Sequence, residues 1–203
     1  MNTAVLGGPA LGHDGRPPAS GIGLWVFIGV ASTLFALFLA AYVMRMASYD
    51  WTPIALPAQL WLSTSLLVAG SVLLHGAKHA AHAARQDRAR MLLLAGGACA
   101  LAFVGSQLWA WQALQEARVL MAGNPAASFF YLLTAMHGLH VLGGLVAWTV
   151  TVRSAPSLDP ARVAWRIGLC ARYWHFLLAL WAVLFAAISG LTPEIARIIC
   201  GTN

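Results

Sequence analysis

Residues 122–152 read AGNPAASFFYLLTAMHGLHVLGGLVAWTVTV and contain no Asp, Glu, Lys or Arg. A helix that crosses the hydrocarbon core of a bilayer needs about 20 predominantly apolar residues. This run of 31 residues is therefore long enough to span a membrane as one helix. Four further uncharged runs clear the same length, and they cover residues 22–44, 57–77, 91–115 and 173–193.

The composition is that of a chain that folds in an apolar solvent. Of the 203 residues, 60% are hydrophobic and 9% are charged, whereas a soluble domain is about 25% charged. The uncharged runs are continuous, whereas a transmembrane β-barrel would show alternation over segments of about 10 residues. We predict an all-α, polytopic membrane protein whose domain at 22–193 is a bundle of five transmembrane helices, at about 22–46, 57–82, 91–115, 126–152 and 170–193. Residues 1–21 are expected to form a mobile N-terminal tail and residues 194–203 a C-terminal tail.

The distribution of Lys and Arg sets the expected orientation. Nine of the 12 cations lie in the N-terminal segment and in the second and fourth connections: Arg16, Lys78, Arg85, Arg88, Arg90, Arg153, Arg162, Arg166 and Arg172. The other three, Arg45, Arg118 and Arg197, lie on the opposite side. Because cytoplasmic loops carry the excess of Lys and Arg, the N-terminus is predicted to be cytoplasmic and the C-terminus outside. No basic stripe lies on a soluble face, so nucleic acid is not an expected partner.

The polar side chains within the runs include several histidines but no carboxylate. All six acidic residues lie outside the runs, which argues against an ion-coupled transporter, because such proteins usually carry carboxylates inside the membrane. The histidines in and beside the runs are His75, His79, His82, His137, His140 and His175. They could hold a b-type haem or a metal ion, but only His75 and His175 share a depth, and no Cys or carboxylate joins them. They could instead hydrogen-bond to partners across the bundle.

Two motifs resemble a known family. FFYLLTAMHGLHVLGGL at 129–145 resembles the fourth-helix signature of haem–copper oxidase subunit III, in which a Phe-rich start leads to Leu-Thr and then His-Gly-x-His-Val. RYWHFLLALWAVLF at 172–185 resembles the last-helix signature of that family, Tyr-Trp-His-Phe followed by Trp. LWVFIGVASTLFALFLAAY at 24–42 is similar to its first helix, and residues 64–80 and 103–111 resemble the second and third helices more loosely. Five helices match the short bacterial form of the subunit.

The resemblance implies a non-catalytic subunit of a bacterial respiratory terminal oxidase, a cytochrome c oxidase of aerobic electron transport in the inner membrane. Its implied partners are oxidase subunit I, which makes the main contact, subunit II and membrane phospholipid. Haem and copper would belong to the partner subunits, so this chain would hold no catalytic centre, cofactor or metal. The motif residues would pack and hydrogen-bond within the bundle; they are His137, Gly138, His140, Tyr173, Trp174, His175, Phe176 and Trp181.

The chain departs from the family at four positions where a carboxylate is usual. By alignment of the motifs, these positions are occupied by Ala31, Ala110, Gly168 and Leu178. Three alternatives stay open at this point. The chain could serve a quinol oxidase, it could be the subunit III-like accessory protein of nitric oxide reductase, or it could be a stand-alone b-type haem cytochrome.

Overall fold

The structure is a computed structural model that describes residues 19–48, 50–121 and 123–200. The described residues form helices and connecting loops and contain no strand. The elements are α1 at Ala19–Met46, α2 at Gln59–His82, α3 at Gln86–Glu116, α4 at Pro125–Ser154, α5 at Pro160–Gly190 and α6 at Pro193–Cys200, with a 3-10 turn at Ala155–Ser157. Helices α1 to α5 are each long and apolar enough to cross a membrane, which confirms the predicted fold class.

Helices α1, α3 and α5 begin several residues earlier than predicted, whereas α2 and α4 begin within two residues of the predicted positions. Helix α5 starts at Pro160, ten residues before the expected start, because the Asp159 side chain caps it by accepting a hydrogen bond from the Arg162 backbone nitrogen at 2.9 Å. Helix α4 starts in the same way at Pro125, with the Asn124 side chain accepting from the Ala126 nitrogen. Capping residues thus set the starts of α4 and α5.

Both predicted tails differ from the structure or lie beyond it. Residues 1–18 of the expected N-terminal tail lie outside the described residues, and residues 19–21 already belong to α1. The expected C-terminal tail begins instead as part of α6. The Ala196 side chain on α6 is fully buried and packs with Tyr42 and Met46 at the C-terminal end of α1. Burial against α1 therefore holds this segment in the bundle.

Close packing of α2 against α3 depends on small residues. A Cβ atom added at Gly70 would lie 3.3 Å from Cys99 Cβ and 3.4 Å from the Gly96 carbonyl oxygen. A Cβ atom added at Gly96 would lie 2.8 Å from Leu74 Cγ. Such residues let helices approach closely where apolar burial gives no driving force in lipid. Helix α5 packs against α2, α4 and α1, and α1 lies at the edge of the bundle.

Gly97 on α3 makes room for the indole of Trp148 on α4. A Cβ atom added at Gly97 would lie 2.1 Å from both Cε2 and Cζ2 of Trp148. The same indole donates a hydrogen bond from Nε1 to the Leu93 carbonyl oxygen at 2.8 Å. Gly97 and Trp148 therefore form a close packing contact between α3 and α4.

One ion pair closes the loop that follows α1. Arg45 donates two hydrogen bonds of 2.6 Å to the two carboxylate oxygens of Asp50. These bonds hold the pKa of the Asp50 carboxyl below its usual value. The pair therefore stabilises the folded loop at neutral pH, and this stabilisation is lost as the pH falls through the lowered pKa.

Candidate functional site

A layer of polar side chains crosses the core of the bundle and links neighbouring helices. Trp181 Nε1 on α5 donates to Thr64 Oγ1 on α2 at 2.9 Å. Gln107 Nε2 on α3 donates to Ser63 Oγ on α2 at 3.0 Å. A third bond, from Trp111 Nε1 to Thr134 Oγ1 at 3.2 Å, joins α3 to α4. Of this layer, Trp181 is one of the eight motif residues given above, and Thr134 is the Thr of the Leu-Thr in the fourth-helix motif.

His137 lies at the centre of this layer but does not take part in its hydrogen bonds. Its side chain is completely buried, and its ring packs against Trp181 at a centroid distance of 5.1 Å and Phe103 at 5.8 Å. Neither ring nitrogen has a hydrogen-bond partner among the residues that the structure describes. Its observed contacts are therefore those of an aromatic packing residue.

His140 lies one turn further along α4 and contacts α1. Its Nδ1 donates to the Met136 carbonyl oxygen at 2.8 Å, which satisfies that nitrogen within its own helix. The rings of Phe35 and Phe27 on α1 lie at centroid distances of 5.3 and 5.7 Å from the imidazole. Tyr173 Oη on α5 donates to the His140 carbonyl oxygen at 3.0 Å. This position therefore joins α1, α4 and α5.

The remaining motif residues on α4 and α5 support the same junction in different ways. The Trp174 side chain is buried in the core, and the Phe176 ring lies beside that of Tyr173 at a centroid distance of 6.1 Å. Gly144 accommodates Tyr173, since an added Cβ would meet its Cε1 at 3.0 Å. Gly138 has no such role, because an added Cβ would meet nothing within 4 Å.

His175 is separated from His137 and His140 and lies with two other histidines. Its Nδ1 is 2.5 Å from Ser71 Oγ, and its Nε2 is 3.3 Å from His75 Nδ1. His75 Nε2 is in turn 3.0 Å from His79 Nε2. The side chains of the three histidines are exposed on the outer surface of α2 and α5. The matched depth of His75 and His175 that the sequence predicts is thus confirmed by direct contact.

The contact between His75 and His175 does not suit the axial ligation of a haem. Two axial imidazoles flank the iron, so the iron atom and the macrocycle have to fit between their nitrogens. Here the two nitrogens are within hydrogen-bonding distance of each other. The two ring nitrogens of His75 also face two different histidines. The three imidazoles are therefore linked one after another and do not converge on a common point, as the ligands of one metal ion would. Among the described residues, no group of three or more His, Cys, Asp or Glu is arranged to hold a metal ion.

An apolar groove runs between the N-terminal parts of α1 and α5 and the C-terminal half of α4. It encloses about 640 Å³, and its walls include Leu24, Phe27, Ala147 and Leu169. Among the described residues, Arg166 is the charged residue in its lining, and Trp165 lies beside it. The groove is therefore mostly apolar, with one cation in its lining.

Comparison with known proteins finds similarity over most of the chain. No protein-family model matches it. The cytochrome c oxidase subunit 3 of Synechocystis sp. is 29% identical over 197 residues, which cover 93% of this chain and 82% of that protein. The subunit of the same name from Thermostichus vulcanus is 28% identical over 84% of this chain and 87% of its own length. That of Bacillus subtilis is 24% identical over 82% of this chain and 84% of its own length.

Proposed function

We propose that this chain, a subunit III-like member of the haem–copper oxidase family, is the non-catalytic third subunit of a bacterial cytochrome c oxidase. The observation that carries the proposal is the similarity to several proteins of that name over 82–93% of the chain. The two histidine motifs lie within the matched region, on α4 and α5. A quinol oxidase or nitric oxide reductase is less favoured, because the relatives given above are all named after cytochrome c oxidase.

The work we assign to the subunit is structural. The motif residues on α4 and α5 make the contacts that hold three helices together, and His75 and His175 are too close to each other to flank a haem. Haem and copper would therefore lie in oxidase subunits I and II, with subunit I as the main contact. The complex, and not this chain, would carry out the redox chemistry.

We further propose that the groove along α1, α4 and α5 holds a phospholipid in the inner leaflet. Its apolar walls suit acyl chains, and its volume of about 640 Å³ is sufficient for part of one lipid. Arg166 in the lining is placed to attract an anionic headgroup. A bound lipid would fill the space beside α1, the helix with the least support from the rest of the bundle.

The orientation that the cations predict can be tested with two matched alanines. Ala83 follows α2 and Ala117 follows α3, and both are exposed. With the native cysteines replaced by Ser, a membrane-impermeant maleimide added to spheroplasts should label Ala117→Cys. It should label Ala83→Cys only after the membrane is permeabilised, because the cation bias places that loop in the cytoplasm. Labelling of Ala83→Cys alone in intact spheroplasts would reverse the orientation.

Removal of the subunit should change the lifetime of the oxidase and leave its initial chemistry unchanged. Two of the positions where the family has acids hold Ala31 and Ala110, which are buried and cannot exchange protons. We expect turnover of the purified oxidase without this chain to start at the normal rate and then decay several-fold faster. The initial ratio of protons pumped per electron, measured in vesicles, should equal that of the complete complex. An immediate drop in that ratio with the core intact would contradict a purely structural role.

A further inference from the structure

At the depth of His75, the exposed surfaces of α3 and α4 are apolar, whereas α2 and α5 carry polar side chains. His75 lies seven residues before the end of α2, roughly 10 Å along the helix axis. At comparable distances from the inner helix ends, α3 and α4 expose Leu94 and Val146. Exposed hydroxyls in the spans, such as Thr33 and Ser65, bond to carbonyls of their own helix. A bond of this kind satisfies only one of the two ring nitrogens of an imidazole, as it does at His140.

We define the histidine face as Ser71, His75, His79 and His175, together with the exposed Val72 beside them on α2. Its members form one hydrogen-bonded chain, from the Ser71 hydroxyl through His175 and His75 to His79. These hydrogen bonds use five of the six ring nitrogens of the three histidines. The sixth, His79 Nδ1, has no hydrogen-bond partner among the described residues. The histidine face therefore presents one polar atom without a hydrogen bond to any molecule that packs against it.

The histidine face also lacks a negatively charged partner within the described spans of the bundle. Lys78 follows His75 on α2, and Arg85 and Arg88 lie with His79 around a groove at the inner end of α2 and α3. The acids of the described residues lie outside the uncharged runs, at Asp50, Asp87, Glu116, Asp159 and Glu194. Within the described spans, the face therefore combines titratable imidazoles and cations with no intramembrane carboxylate.

We propose that the histidine face docks against the catalytic subunit, and that this subunit presents a carboxylate to the imidazoles. The proposal rests on the proposed function, because it takes the partner from it. Acyl chains offer no acceptor. A backbone carbonyl of a partner helix can accept a second hydrogen bond, but it is neutral and does not balance the cations beside the histidines. A carboxylate accepts a hydrogen bond from His79 Nδ1 and stabilises any proton that the imidazoles of the histidine face take up. Intramembrane ionisable groups pair with one another for this reason.

Photo-crosslinking in the intact complex tests which face is docked. Val72 on the histidine face and Val146 on α4 are both 65% exposed, so they form a matched pair. Each is replaced in turn by p-benzoylphenylalanine in a chain that carries an affinity tag. Val72 should crosslink to the haem-containing subunit, and Val146 should not. A crosslink from Val146 with none from Val72 would overturn the histidine face while leaving the proposed function standing.

Substitution of the histidines tests the carboxylate. We expect His75→Leu with His79→Leu to lower the haem retained per tagged chain roughly tenfold, since a polar contact between membrane helices is lost. His75→Gln with His79→Gln keeps neutral donors and should lose less. His82→Leu is the control, since it lies on α2 outside the hydrogen-bonded row. Equal retention by all variants would overturn the carboxylate contact.

Two further outcomes separate the proposals from each other and from a lipid site. If no haem co-purifies with the wild-type chain, the proposed function itself fails. If the double Leu variant keeps its haem and loses only bound anionic phospholipid, the face holds lipid headgroups and the docking inference is overturned. Should the double Leu variant fail to accumulate, the Val72 and Val146 crosslinks still decide the docked face, because they leave the histidines intact.

Discussion

Gly97→Ala should lower the stability of the bundle by about 2–4 kcal/mol, because the new methyl group occupies space that the Trp148 ring already fills. A Cβ 2.1 Å from two ring carbons forces the indole to move, which costs about 1–3 kcal/mol as overpacking. The displaced indole also loses its bond to the Leu93 carbonyl oxygen, which adds about 1 kcal/mol. Thermal unfolding of the detergent-solubilised chain, followed with a dye that reacts with the buried thiol of Cys170, measures the change.

Gly105→Ala is the matched control for this substitution. Gly105 lies on the same helix, and an added Cβ would meet nothing within 4 Å. Alanine also has the higher helix propensity, so this variant should be as stable as the wild type or slightly more stable. Equal unfolding temperatures for Gly97→Ala and Gly105→Ala would contradict the packing of Trp148 against Gly97.

His137→Leu should raise the stability by about 1–3 kcal/mol, although it removes a residue of the family motif. Burial of a polar group without a hydrogen bond costs free energy, and both ring nitrogens of His137 are buried with no partner among the described residues. Leucine has a similar volume and keeps the contacts with Phe103 and Trp181. The unfolding temperature should therefore increase in the same dye assay.

His175→Leu should act in the opposite direction and lower the stability by about 1–3 kcal/mol. The Ser71 hydroxyl, which is 2% exposed, loses its link to His175, and His75 loses one of its two ring contacts. The two Leu variants thus act as controls for each other, since each deletes one imidazole from the bundle. Destabilisation by His137→Leu as large as that by His175→Leu would show that the buried imidazole does more than pack.

The sequence predicts the number and order of the membrane helices because uncharged length is a direct requirement of the bilayer. It does not predict their full extent, since α3 starts at Gln86 and α5 at Pro160, where charged residues stand within the helix outside the hydrocarbon. It also misses α6. This helix has only eight residues, and the burial of Ala196 against α1 depends on a neighbour that is distant in the sequence.

The candidate site is predictable to a similar degree. The histidine motifs locate the important turns of α4 and α5, and counting along the helices brings His75 and His175 to one depth. The pairing of Thr64 with Trp181, or of Ser63 with Gln107, depends on which helices are neighbours and how each is rotated. Single Ser, Thr and Gln residues in apolar runs carry no periodic signal for that rotation.

The position of α1 also fixes the order in which the chain can assemble during synthesis. The main contacts of α1 within the bundle are with α4, α5 and α6, which the ribosome makes after α2 and α3. At about 5–20 residues per second, α1 has to wait several seconds in the bilayer while α2 and α3 are inserted and pair with each other. The C-terminal end of α1 gains its contact with α6 only when Ala196 has been translated and has packed against Tyr42 and Met46. Helix α1 thus enters the membrane before the helices that fix its position, and a nascent chain that stops before α6 leaves it without that anchor.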